Sequence, residues 1–236
     1  GDRQVFNATK RLQASGEYAI PHLIQALRDS NRRSLQPAII KVLPQIGRSA
    51  MNPLCLALGM KDDVARQVLI NAAAELGYQQ VLPYLAKLVE DPSASGEVRA
   101  AAAAAMTALG RGSERNISVL FYELADQYYK NIDSVKADTT KDTANVWYLR
   151  DAELRFVRVP TAIFGDLMAM RCCEEALKAN PNNKEATALW LAANYRREAK
   201  LGLDVESDQT DPLADKDGTR PENYPRAIYF GRAAGP

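Results

Sequence analysis

The sequence predicts an all-α protein, an α-α superhelix of repeated helix pairs with one small β-hairpin insertion. Three observations predict it. Four glycines, Gly16, Gly47, Gly77 and Gly110, close helical patterns at spacings of 31, 30 and 33 residues. An amphipathic stretch follows each glycine, and the four stretches superimpose. Between Val146 and Val159 the apolar period falls from that of a helix to about two residues. Self-similarity at a fixed period marks stacked repeats, because one helix pair cannot bury its own apolar face.

The first helix of each pair ends in a similar context: Leu12-Gln13-Ala14-Ser15-Gly16, Pro44-Gln45-Ile46-Gly47, Ala74-Glu75-Leu76-Gly77 and Thr107-Ala108-Leu109-Gly110. A glycine just past a helix takes the left-handed conformation that closes it without a steric penalty. The second stretch, Ile20 to Leu27, aligns with Met51 to Leu58, Leu82 to Val89 and Ile117 to Leu124. The last shift is longer because of the loop Pro92-Ser93-Ala94-Ser95-Gly96. Core columns fall at 20/51/82/117, 23/54/85/120, 24/55/86/121 and 27/58/89/124, the i, i+3, i+4, i+7 stripe of a buried helix face. Pro21, Pro53 and Pro83 fall in first turns, where a missing N–H breaks no helical bond.

These residues resemble HEAT repeats, and in particular the short phycobilisome-lyase-type HEAT-like repeats of bacteria. The matching parts are the Ala19-Ile20-Pro21-His22-Leu23-Ile24 type of second helix and the Asp62-Asp63-Val64-Ala65-Arg66 and Val98-Arg99-Ala100 types of first helix. The resemblance covers roughly residues 5 to 130 and implies a right-handed α-solenoid whose second helices line a concave surface. A HEAT-like array of four helix pairs is therefore expected over residues 1–130.

Beyond it the composition changes. Residues 131–160 read as a polar loop followed by a hairpin, with Val146-Trp147-Tyr148-Leu149 and Leu154 to Val159 as strands and Arg150-Asp151-Ala152-Glu153 as the turn. The alternative is an extended loop pinned by Trp147 and Phe156. In 161–203 the helical period returns, and Ala169, Cys173, Ala176 and Pro181 resemble the second helix of a tetratricopeptide repeat, with Trp190 in the next helix. The tyrosine of that pattern falls one residue late, at Tyr195 instead of Asn194. Residues 204–236 are rich in Asp, Pro and Gly and read as an irregular segment, either packed on the surface with Tyr224, Tyr229 and Phe230 docking it or only partly ordered. The ends, Gly1-Asp2-Arg3 and Ala234-Gly235-Pro236, suggest a fragment of a longer protein. The compartment stays open, since a removed signal peptide leaves no trace.

Composition narrows the function. The chain has 236 residues, 30 Lys and Arg against 29 Asp and Glu, a formal charge of +1, one histidine and three cysteines. That balance disfavours non-specific nucleic-acid binding, and the longest uncharged apolar run, Ala100 to Leu109, is about half of the ~20 residues a membrane span needs. No phosphate loop, dinucleotide fingerprint or zinc motif occurs. No catalytic residue, metal or cofactor is expected. Asp215-Lys216-Asp217-Gly218-Thr219 looks like a phosphatase nucleophile motif, but no strand precedes it, and as a calcium loop it lacks the carboxylates. Cys55 and Cys173 fall at core positions; Cys172 is either buried or an exposed thiol.

One rival reading comes from the resemblance itself, since some HEAT-like proteins are alkyl-base DNA glycosylases with a basic concave groove. Residues 1–112 carry 13 Lys and Arg against 9 Asp and Glu and no tryptophan, a small excess beside the roughly six to ten phosphate contacts of a salt-sensitive DNA binder. A non-enzymatic scaffold is favoured. Two columns flank the core stripe, His22/Pro53/Tyr84/Val119 and Gln25/Leu56/Lys87/Tyr122. His22, Gln25, Leu56, Tyr84, Lys87 and Tyr122 are the expected contacts for another protein or for the remainder of this chain. The alternative is that a neighbouring helix or the C-terminal segment covers them.

Overall fold

Capping and apolar spacing account for where the helices begin and end. The computed structural model describes residues 2–113 and 116–201. The chain divides into two units, Gly1–Arg115 with Trp147–Arg155, and Asn116–Val146 with Phe156–Pro236.

In the first unit α1 (Asp2–Ser15), α2 (Ala19–Arg28), α3 (Gln36–Val42), α4 (Met51–Ala57), α5 (Asp63–Leu76), α6 (Leu82–Glu90) and α7 (Gly96–Ala108) follow one another, with short 3-10 turns between several of them. Asp62 caps α5 by accepting from the Ala65 N–H at 3.0 Å, and Ser95 caps α7 through the Val98 N–H at 3.3 Å. All four repeat glycines have positive φ, as the spacing predicts. Gly77 shows the reason most directly: at φ 76° its N–H bonds the Ala73 carbonyl at 3.2 Å and closes α5. Gly47 differs, since it kinks a 3-10 stretch, Leu43–Ala50, and caps no regular helix.

The predicted columns are the core. Leu23, Leu54, Leu85 and Leu120 are buried, as are Ile24, Cys55, Ala86 and Phe121. Two positions depart from the stripe: Val89 is half-buried while Leu88 is buried, and Ile117 is half-buried while Ser118 is buried. Both lie in terminal turns of their helices, where the face that meets the neighbour drifts by one residue. First helices contribute Ala65, Leu69, Ile70 and Ala73 from α5, and Val98, Ala102, Ala105 and Met106 from α7. Small residues on that face let helices approach closely, and α7 packs on both α5 and α6.

The second unit is built on α8 (Ile117–Tyr129), α9 (Thr161–Ala179) and α10 (Lys184–Leu201), with α9 packed on both of the others. Asn116 caps α8 through the Val119 N–H at 3.1 Å. Gly165 allows the close approach of α9 to the end of α8. A Cβ there would lie 2.8 Å from the Tyr128 carbonyl oxygen and collide with the Asn131 side-chain oxygen. Ala169, Cys173, Ala176 and Trp190 are all buried, but Asn194 is fully buried and Tyr195 is 47% exposed. The helix thus turns inward the residue that the tetratricopeptide spacing lacks, and leaves the late tyrosine outside.

A two-stranded sheet pairs β1 (Thr143–Arg150) with β2 (Glu153–Pro160). The hairpin is longer than its apolar pattern, because Arg150 and Glu153 are strand residues and only Asp151 and Ala152 turn the chain. Both have positive φ, 52° and 60°, as a two-residue hairpin turn of this hand requires. Residues 204–236, with Asp215 to Thr219, Tyr224, Tyr229 and Phe230, lie outside the described residues.

Candidate interaction surface

The helices that carry the core stripe also carry the flanking columns, one residue to either side of buried positions. In α2, His22 and Gln25 are exposed between the buried Leu23, Ile24 and Leu27. In α4, Leu56 is half-buried and Pro53 is buried; in α6, Tyr84 is half-buried and Lys87 exposed. These six belong to the first unit. Tyr122 stands on α8, in the second unit. Burial, followed by the charges of Asp126 and Glu185, pushes the Tyr122 hydroxyl pKa up. It stays a neutral phenol, able to donate and accept, over the whole physiological range.

The helices under the columns are held in place by a buried cation. Arg66 of α5 is 4% exposed; its Nε donates to the Leu58 carbonyl at 3.2 Å, and its other nitrogens lie 3.5 Å from Asp63 and 3.8 Å from Asp91. It thereby satisfies a carbonyl orphaned at the end of α4 and reaches the loop after α6. Asp91 itself takes hydrogen bonds from the Ser93 hydroxyl at 2.7 Å and N–H at 2.9 Å, which hold its carboxyl below the ordinary range, with Arg66 adding to the effect.

Two clusters carry no sequence signature. In the first unit the indole N–H of Trp147 donates to Glu17 at 2.6 Å, and its ring lies 6.4 Å from that of Tyr18. Arg28 donates to the Ala152 carbonyl at 3.1 Å. In the second unit Asp166, wholly buried on α9, accepts from Arg196 at 2.5 Å and Lys200 at 2.7 Å, both on α10. Arg196 also donates to the Tyr129 carbonyl at 2.6 Å and stacks 3.5 Å over that ring. Lys200 donates to the Ala162 carbonyl at 2.9 Å.

Neither cluster brings a nucleophile beside a base. The three cysteines are buried and free, and burial pushes the Cys172 thiol up to about 12 and Cys173 well above the ordinary thiol range. Cys172 is therefore the buried alternative, shielded by its place on the central helix of the second unit. Among the described residues no group of His, Cys, Asp and Glu is placed to hold a metal ion, and no helix is long and apolar enough to cross a membrane.

Helix pairs in repeating register, with the same stripe buried in each second helix, define a helical-repeat protein. The repeats are of one kind: the family described as HEAT repeats matches residues 20–107 and, in a second register, residues 51–128. Residues 20–128 are HEAT repeats. No curated protein and no solved structure matches the chain.

Proposed function

We propose that the chain is a non-enzymatic scaffold whose HEAT repeats bind another protein through their second helices. The repeats are of the phycobilisome-lyase type in length and stack helix pair on helix pair in the right-handed sense of a superhelix, and α9 and α10 form a tetratricopeptide-like pair. One observation carries the reading. The flanking columns keep His22, Gln25 and Lys87 exposed and Leu56, Tyr84 and Tyr122 half-buried, although each adjoins a buried core residue. A surface mixing aromatic, aliphatic, amide and cationic groups suits a protein partner, because rigid aromatics give contact area at low entropy cost.

The test compares proteins captured from a lysate of the source cells by the unaltered chain and by a Tyr84→Ala, Lys87→Ala, Tyr122→Ala variant of equal melting temperature. A protein retained by the first and lost by the second supports the reading. Identical capture by both overturns it.

A further inference from the structure

The division of the chain into two units passes through a single element. Residues 147–155, the tip of the β1–β2 hairpin, count with the first unit, whereas the residues on either side, through Val146 and from Phe156, count with the second. The two ends of the hairpin are held by different means. At the tip the Trp147 indole donates to Glu17 at 2.6 Å and lies 6.4 Å from the Tyr18 ring, and the Ala152 carbonyl accepts from Arg28 at 3.1 Å. Leu149 lies against Gly59, where an added Cβ would be 3.2 Å from its methyl. Trp147 is buried, so the first unit holds this indole in its interior. At the open end Val146, Val157 and Val159 are buried. There the Thr161 N–H and hydroxyl donate to the Asp142 and Lys141 carbonyls at 2.8 and 2.6 Å. Thr161 is also the first residue of α9, on which α8 and α10 both pack.

Two strands alone make a hairpin that is marginally stable at best in water. Each end therefore depends on its own support, and one ladder carries both. With the first unit unfolded, the tip loses the Glu17 and Arg28 bonds and the burial of Trp147, and the ladder frays toward Val146 and Val157. With the second unit unfolded, the fastening at Thr161 is gone and the ladder opens from the other end. The strand that presents Trp147 to Glu17 and Leu149 to Gly59 then loses its partner strand.

We propose that the hairpin is a strap that couples the folding of the two units, so that the chain unfolds in one cooperative transition and not unit by unit. The strap stays in place throughout the native state, and its effect is felt only when a unit opens. This coupling goes beyond the scaffold role and does not rest on it. A perturbation confined to α9 is transmitted to α5, and the anchors Glu17 and Arg28 transmit it.

Native-state hydrogen exchange of the full chain tests the coupling, read at the amides of Leu69–Ala73 in α5 and of Leu167–Cys173 in α9. Coupled units share one global opening, which limits exchange of the slowest amides in both. Leu167 is buried on α9, and Leu167→Ala leaves a cavity in the second unit. It is expected to speed exchange of the α9 amides at least about tenfold, and that of the α5 amides by the same factor. Adding Glu17→Ala and Arg28→Ala frees the tip and leaves the strands unaltered. In that background Leu167→Ala is expected to move the α5 amides less than about twofold while the α9 amides still respond. Faster exchange in α9 with α5 unmoved, both anchors being present, would show that the units open independently, and overturns the proposal. So does an α5 response that survives the loss of both anchors, because the coupling then runs elsewhere. If Leu167→Ala does not fold, Ile163→Val, at a buried position on the same helix, makes the same comparison with an expected change of about threefold.

Discussion

Replacing Asp166 by alanine tests how the second unit holds its last helix. The carboxylate is fully buried and accepts two charge-assisted bonds, from Arg196 at 2.5 Å and Lys200 at 2.7 Å. Removing one partner of a wholly buried ion pair costs about 3–5 kcal/mol, because the other charge is stranded. Here the side chains of Arg196 and Lys200 are 31% and 32% exposed, so each cation turns to water once the carboxylate is gone. Arg196 also keeps the Tyr129 carbonyl and ring, and Lys200 the Ala162 carbonyl. Solvent screening lowers the loss to about 2–3 kcal/mol for Asp166→Ala. Asp166→Asn, which retains an oxygen acceptor but no charge, is expected to lose about half of that. Urea denaturation followed by Trp190 fluorescence, in a Trp147→Phe background, reads the second unit, since Trp190 is fully buried there. A loss below about 0.5 kcal/mol would show that desolvation already cancels the pairing. A loss above about 5 kcal/mol would show that the cations do not reach water, and either result refutes the reasoning.

Four further outcomes follow from the same structure. Leu54→Asp places a carboxylate at a position of 0% exposure and is expected to cost about 3 kcal/mol or more. Tyr84→Ala, half-buried, should cost about 1 kcal/mol or less; a calorimetric melt separates the two. Burial holds the Glu174 carboxyl above its ordinary pKa, with the Trp190 indole opposing, so the folded state keeps a proton that the unfolded state has lost. That contribution is present in acid and lost as pH rises from about 4.5 through the raised folded value. Glu174→Gln should therefore raise the melting temperature at pH 7 more than at pH 4.5. A thiol reagent should modify none of the three buried cysteines in the native chain and all three in guanidinium. Ala152→Gly relieves a left-handed turn and should stabilise by about 1 kcal/mol in denaturant melts, whereas no change would mean that the turn is unstrained.

The repeats were legible because their evidence is redundant. The column Leu23, Leu54, Leu85 and Leu120 is buried at every repeat, and two slipped positions do not blur a register that fourteen others enforce. Val89 and Ile117 slipped where a helix has only one turn left, and there periodicity has no neighbour to confirm it. The hairpin was legible from its alternation, but not the extent of its turn, since Arg150 and Glu153 look as loop-like in sequence as Asp151 and Ala152. Asn194 shows a different limit. A polar residue at an interior position is invisible to apolar patterning, and the nearby Tyr195 attracts the assignment instead. The pairs Trp147–Glu17 and Asp166–Arg196 were beyond reach for the same reason. Separations of 130 and 30 residues leave no period to read, and only the fold brings the partners together.

The membership of residues 147–155 bears on the order of events during synthesis. The helices of the first unit are complete once Ala108 has been made, but its full set of residues ends only at Arg155. At about 5–20 residues per second, the interval from Arg115 to Arg155 lasts some seconds. Throughout it the nascent array lacks the contacts that Trp147 and Leu149 make with Glu17, Tyr18 and Gly59, on the timescale at which chaperones and other chains are met. The last piece of the earliest-made unit thus arrives late, from within the sequence of the second, and a chain cut at Arg115 would keep the HEAT register while never acquiring its tryptophan.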